Sequence, residues 1–278
     1  MPSIADLLER VLSWVGRAVE WLRLEGGLSH QILRIDVDHV PYVLRVLEPK
    51  VSAAGREIGN TRLAARTADA QVCAVLPGVP AIVLEFLPGR TLSAAEAGRP
   101  GVSPEPAEAC LRLHAGPAFG DDFDIFAQRA ELMEVCERHE LPLPGGYPDA
   151  SSTVDATRAE PAEWQLRAVA WLGDIALEAD YDPDLTGQLA GAYFGAGPNP
   201  ALRARVRLLH IASNVTWALW FTVHHGLLAA AHGEDPVGFD YEAEAAGEWG
   251  QARRALEDPG LGRLLATVTG RKPITPDE

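Results

Sequence analysis

The 278-residue sequence predicts an α+β chain, with a small antiparallel sheet near the N-terminus and a mostly helical remainder. Three observations carry that prediction. Gln31–Val37 and Tyr42–Leu47 are β-rich runs with period-two alternation, joined by a short Asp38-His39-Val40-Pro41 connection, as an antiparallel hairpin requires. Gln71–Leu76 and Ala81–Phe86 flank the turn-forming Pro77-Gly78-Val79-Pro80 and read as a second strand pair. From Ser93 onward the sequence is Ala-rich, and its apolar residues recur at helical spacing.

Composition narrows the range of functions. Lys and Arg number 24 against 39 Asp and Glu, a net charge of −15 that repels polyanions and makes nucleic acid an unexpected partner. Hydrophobic content of 47% with 23% charged residues is that of a globular protein. Cys73, Cys110 and Cys136 are widely spaced, suggest neither a disulfide framework nor a zinc site, and read as reduced, buried thiols of a cytoplasmic protein. The N-terminus has acidic residues within its first ten positions and no positive n-region, so it does not read as a signal peptide. Residues 211–231 contain no Lys, Arg, Asp or Glu and are long enough to span a bilayer. Ser213, Asn214, Thr216, Thr222, His224 and His225 dilute that run, so it is expected to be a buried helix with no membrane partner.

Taken in order, Ile4–Leu22 places apolar residues at helical spacing behind Ser3 as an N-cap. Gly26 and Gly27 precede the first strand, where glycine leaves room for a ligand and backbone N–H groups can face an anion. Arg45 in the returning strand supplies a cation beneath that loop. Gly55–Ala70 reads as a helix with Glu57 near its start, and Pro104–Ala115 and the segment up to about His139 as further helices. Leu141–Gly146 breaks the helix, and Asp149–Glu160 is polar and without a clear pattern. Helices follow at Gln165–Ala179, Asp184–Phe194, Ala201–Ala231, Asp240–Leu256 and Gly260–Val268, before a frayed tail at Lys272–Glu278.

Several stretches together resemble the choline/ethanolamine kinase family and its aminoglycoside-phosphotransferase relatives. They are GGLSH at 26–30, YVLRVL at 42–47, EFLPGRTL at 85–92, LRLHAGPAF at 111–119 and DFDIF at 122–126. The resemblance implies a bilobal, protein-kinase-like fold, with an N-lobe at 1–87 and a helical C-lobe at 88–278. It also implies an ATP site in which Gly26, Gly27 and Ser29 cradle phosphates and Arg45 stands in for the kinase lysine. Glu57 would be the partner of Arg45, although a solvated first-turn glutamate reads equally well. The Glu85 carbonyl and the Leu87 N–H would meet the adenine edge, or belong to an ordinary strand-to-helix connection. Asn214, Trp217 and Trp220 share one helical face and would line a pocket for choline or a similar small cation, unless both tryptophans are plain core.

The resemblance fails where the family carries its catalytic loop, an H-x-D, and then a D-x-E that holds magnesium. None of the eight histidines has an aspartate two residues on, and the chain passes from SSTVDATRAEPAEW directly into Gln165–Ala179. The catalytic core reads as truncated near 158–164, so no catalytic residue and no metal ligand is assigned, and Mg²⁺ lacks recognisable ligands. Asp121, Asp122 and Asp124 read as an N-cap cluster, Asp174 has no assigned role, and His114 reads as structural. The expectation is a kinase-like homologue that has lost catalysis and binds a nucleotide or a small cationic amino alcohol. Two other readings stay open: an active small-molecule kinase drawing its acids from non-standard positions, and a non-catalytic interaction module.

Overall fold

The computed structural model describes residues 3–24, 30–47, 54–67, 71–90, 96, 99, 104–120, 124–156, 183–195, 200–232 and 239–269. The chain divides into two compact units, one of Met1–Thr91 with Leu111–Asp122 and one of Leu92–Cys110 with Phe123–Glu278.

The first unit is built on an antiparallel sheet of β1 (Val19–Arg23), β2 (Gln31–Val37), β3 (Val40–Val46), β4 (Val72–Val75) and β5 (Ala81–Glu85), in the order β1-β2-β3-β5-β4. The β2–β3 connection is tighter than the sequence suggests. Asp38 and His39 have φ of 47° and 69°, the left-handed pair of a two-residue hairpin turn whose twist matches its strands. Val40 then pairs with Val37, and Pro41 lies beyond the end of β5, where its missing N–H costs no ladder bond. Leu33, Ile35 and Val37 alternate along β2, and with Leu44, Val46, Ala81 and Val83 they form one buried face, closed by Leu7, Val11 and Trp14.

The expected helix over Ile4–Leu22 is largely a different structure. Helix α1 (Ile4–Glu9) starts at Ser3 as predicted, with a reciprocal capping box in which Asp6 N–H donates to Ser3 Oγ at 3.2 Å and Ser3 N–H to the Asp6 carboxylate at 2.9 Å. A 3-10 turn follows at Leu12–Trp14, Gly16 turns the chain at φ 79°, and Val19–Arg23 joins the sheet edge beside β2. The apolar spacing fits either element. Helix α1 ends at Glu9 with Arg10 as its C-cap, the left-handed Gly16 turns the chain after the 3-10 segment, and the ladder with β2 pairs the backbone beyond it. Helix α2 (Ala54–Ala65) packs in this unit, and Gly116 lies so close to its end that a Cβ there would collide with Thr67 Cγ2.

Among the described residues the second unit is helical. Helix α3 (Pro104–His114) is followed by α4 (Ile125–Arg138), α5 (Tyr147–Ala156), α6 (Pro183–Phe194), α7 (Pro200–His232), α8 (Tyr241–Leu256) and α9 (Leu261–Thr269). The 33-residue α7 is the axis, and α4, α5, α6, α8 and α9 all pack on it. Its hydroxyls bond backward within the helix, Thr216 to the Ala212 carbonyl and Thr222 to that of Ala218, both at 2.8 Å, so they enter the core without orphaned donors. No helix among the described residues is long and apolar enough to cross a membrane.

Helix α5 takes the described part, residues 149–156, of the patternless segment read at Asp149–Glu160. Tyr147, Ala150 and Val154 are buried at helical spacing, and the polar residues between them mask the period. Tyr147 is fully buried and donates its hydroxyl to the Val215 carbonyl at 2.9 Å, which fastens α5 to α7. Buried Arg129 on α4 adds bonds to the Ser151 carbonyl at 2.8 Å and Oγ at 2.9 Å, and pairs with Asp155. Gly226 on α7 lies against the Leu141 side chain, 2.5 Å from where a Cβ would stand. Of the three thiols, Cys110 and Cys136 are buried, and burial pushes both up from the ordinary range; Cys73, expected inside, is exposed. The helix predicted at Gln165–Ala179, the stretch near 158–164 and the C-terminal tail lie outside the described residues.

Candidate functional site

In the first unit β3 alternates, so Leu44 and Val46 enter the core while Arg45 stands on the opposite face of the sheet. Glu57 stands in the first turn of α2 and forms an ion pair with Arg45, Nη2 to Oε1. A third side chain joins them that sequence reasoning did not single out. His30, at the foot of β2, places Nε2 3.0 Å from Glu57 Oε1 and 3.1 Å from Oε2. The exposures are graded: His30 is 8% exposed, against 22% for the Glu57 side chain and 30% for that of Arg45. The pair therefore sits at the margin of the sheet, dry enough for charge to matter and open enough to meet a ligand. Arg45 Nε is buried with no acceptor among the described residues. A guanidinium held on one edge by a carboxylate keeps its other N–H groups in a fixed fork, the geometry that suits phosphate oxygens.

The other residues assigned to this site fall as follows. Gly26, Gly27 and Ser29 lie outside the described residues, in the sequence between β1 and β2. Glu85 ends β5, where its N–H donates to the Gln71 carbonyl at 2.9 Å and its carboxylate accepts from the Gln71 N–H at 3.2 Å. Its side chain thus closes the β4–β5 pair. Phe86, Leu87 and Pro88 leave the sheet without regular structure, and Leu87 is 56% exposed. The Phe86 ring lies 4.9 Å from the Arg34 guanidinium, which is itself held by a two-point bond to Asp36.

In the second unit α7 brings Asn214, Trp217 and Trp220 to one region, as their spacing requires. The two indoles meet edge to face at 5.3 Å and 68°. Trp220 also stacks on His224, whose Nδ1 donates to the Trp220 carbonyl at 2.8 Å. Phe221, Phe239 and Tyr241 extend the ring cluster, with Phe239 and Tyr241 4.9 Å apart at the start of α8. Asn214 is buried, donates from Nδ2 to Gln251 Oε1 at 3.3 Å, and leaves Oδ1 buried without a partner among the described residues. Neither Gln251 nor the α8 aromatics carry a local signal; they become visible only once α8 lies on α7.

Asp124 is the N-cap of α4, accepting from Phe126 N–H at 2.9 Å and Ala127 N–H at 3.3 Å, while Asp121, Asp122 and Asp174 lie outside the described residues. His114 is exposed at the end of α3. Among the described residues no three His, Cys, Asp or Glu side chains cluster so as to hold a metal ion.

No protein-family model matches the sequence. No curated protein matches it either. Solved structures do match. A choline/ethanolamine kinase family protein from Mesorhizobium loti superposes with a TM-score of 0.77 at 24% identity, covering 95% of this chain and 97% of that one. Choline kinase LicA from Streptococcus pneumoniae superposes at 0.67 with 14% identity, over 91% of this chain and 98% of that one. A structure of LicA in complex with AMP gives 0.65 at 12% identity, over 92% and 99%. At such identities the likeness establishes the fold. The chain has the architecture of the choline/ethanolamine kinases, a small five-stranded antiparallel sheet with a mostly helical remainder.

Proposed function

We propose that the chain is a choline/ethanolamine-kinase-like protein that binds a nucleotide through its first unit and no longer transfers phosphate. The observation that carries this reading is Arg45, oriented by Glu57 and retaining a buried N–H with no acceptor among the described residues. A buried donor left unmade is costly, and a phosphate oxygen is a fitting acceptor for it. In this reading Gly26, Gly27 and Ser29 close over the phosphates, and the Glu85 carbonyl and Leu87 N–H take the adenine edge. The complex of the similarly folded LicA with AMP supports a nucleotide as ligand. In the second unit the half-buried indoles of Trp217 and Trp220, with the orphaned Oδ1 of Asn214, favour a small organic cation such as choline. Lobes of 1–87 and 88–278 and a cytoplasmic location belong to the same reading.

The sequence lacks the residues that transfer needs: no histidine begins an H-x-D, and no D-x-E stands in the region where the family carries it. Arg45 can hold a phosphate but cannot take a proton from an alcohol. General-base assistance is worth about 10² to 10⁴ in rate, and a metal ion on the transferring group adds several kcal/mol. The test is calorimetry with ATP, with and without Mg²⁺, beside an ADP-release assay over amino alcohols and aminoglycosides. Weak, magnesium-independent binding without turnover is expected. Turnover that disappears in Arg45→Ala overturns the loss of transfer, and absence of ATP binding at any concentration overturns the nucleotide reading.

A further inference from the structure

We infer that His30 is a positioning residue of the Arg45–Glu57 pair, and that its protonation sets the charge this site presents to phosphate. The inference rests in part on the nucleotide reading above. Glu57 Oε1 takes both Arg45 Nη2 and His30 Nε2, and Oε2 lies within reach of the same ring nitrogen. A carboxylate only accepts, so Nε2 carries a proton in either state of the ring. The neutral ring is then a donor that holds the carboxylate toward Arg45, and the charged ring is a second cation on it.

Two charged groups of the described residues stand at the ring from neighbouring elements, Glu57 from α2 and, through it, Arg45 from β3, which pairs with β2 at Ile32↔Arg45. With a neutral ring the group sums to zero, and with an imidazolium it sums to +1. Histidine is the side chain whose ordinary titration falls near neutrality, so of the three groups the ring is the one suited to change charge. In a chain of net charge −15, that added charge is the local counterweight a phosphate would feel. At a separation of several ångströms in a half-buried setting it strengthens phosphate binding by about five- to tenfold.

Nucleotide-free ring titration of the full chain by ¹⁵N NMR tests the contact directly. The His30 signal is identified by its loss in His30→Gln, or in His30→Asn if that variant fails to fold. Its midpoint is expected to fall in Glu57→Gln and to rise in Arg45→Met. A midpoint unmoved in both variants overturns the inference, whether or not any nucleotide binds. The second arm measures ATP affinity from pH 5.5 to 8.5 in the unaltered chain and in His30→Gln, whose amide keeps the donor but cannot charge. Comparing the two removes the titration of ATP itself. The affinity ratio is expected to rise from about 1 at high pH to about five- to tenfold at low pH, and His30→Ala, lacking the donor, to bind more weakly at every pH. A flat ratio overturns the charge switch. Absence of ATP binding in the unaltered chain overturns the nucleotide reading, and the ring titration then decides the contact alone.

Discussion

The Arg45–Glu57–His30 group and the Asn214–Trp217–Trp220 cluster both bring polar atoms into dry surroundings, but they do so by opposite means. In the first unit charges meet charges: Glu57 takes two cationic or polar donors, and Arg45 Nε is buried without an acceptor among the described residues. In the second, rings meet rings, and Asn214 on the same helix makes one hydrogen bond, to Gln251, while its buried Oδ1 has no partner among the described residues. Removing a member of the first group leaves a charge without its counterpart. Removing a member of the second leaves a hole. Mutations should therefore separate the two regions by the size and the character of their effects.

The largest loss is expected in the ring cluster. Phe221 is 6% exposed and touches Trp217, Trp220, Phe239 and Tyr241, so Phe221→Ala should cost about 3–5 kcal/mol in urea denaturation. A cost under about 1 kcal/mol would show the rings to be loosely assembled, and would reopen the space among them as a ligand pocket.

Glu57→Ala should cost less, about 1–3 kcal/mol, because Arg45 then stays half-buried without its carboxylate. The double variant with Arg45→Ala should recover part of that loss, since it removes the stranded charge as well. Additivity within about 0.5 kcal/mol would mean the two side chains are independent, and the oriented cation would lose its basis. Tyr147→Phe should cost about 1 kcal/mol by removing the hydroxyl bond to the Val215 carbonyl, with the ring itself still packed beside Trp249.

The two regions also differ in how far the sequence disclosed them. Period-two alternation marks β2 and β3, the Pro77–Pro80 turn marks the β4–β5 pair, and the caps at Ser3 and Asp124 mark helix starts found in the structure. Arg45 and Glu57 stand on a predicted strand and a predicted helix, so their meeting follows once the helix lies on the sheet. His30 is 27 residues from Glu57, and a single histidine before a strand has no local mark of a distant partner. Strand β1 was hidden because apolar residues between Val11 and Leu22 satisfy a helical period, and only Gly16 signals the break. In α5 the reverse happened. Its apolar residues are too few to outweigh Ser151, Ser152 and Thr153, and only docking on α7 makes Tyr147, Ala150 and Val154 a face.

The smallest expected effect on stability is also the sharpest test of the second region. Asn214 is 2% exposed and makes one hydrogen bond, to Gln251, while its Oδ1 has no partner among the described residues. A buried acceptor without a donor costs about 1–3 kcal/mol, and one neutral hydrogen bond returns about 0.5–1.5 kcal/mol. Those magnitudes nearly cancel, so Asn214→Leu, similar in volume, should change stability by less than about 1 kcal/mol in either direction. An asparagine kept for packing would have no further consequence. One kept to face a ligand's hydroxyl or ammonium group should lose affinity for choline when replaced, as the unaltered chain and Asn214→Leu would show side by side in calorimetry. Stability unchanged with affinity reduced tenfold would identify the orphaned oxygen as a binding group. A loss of 2 kcal/mol or more in stability, with choline binding untouched, would instead make Asn214 part of the α7–α8 contact and remove it from the candidate site.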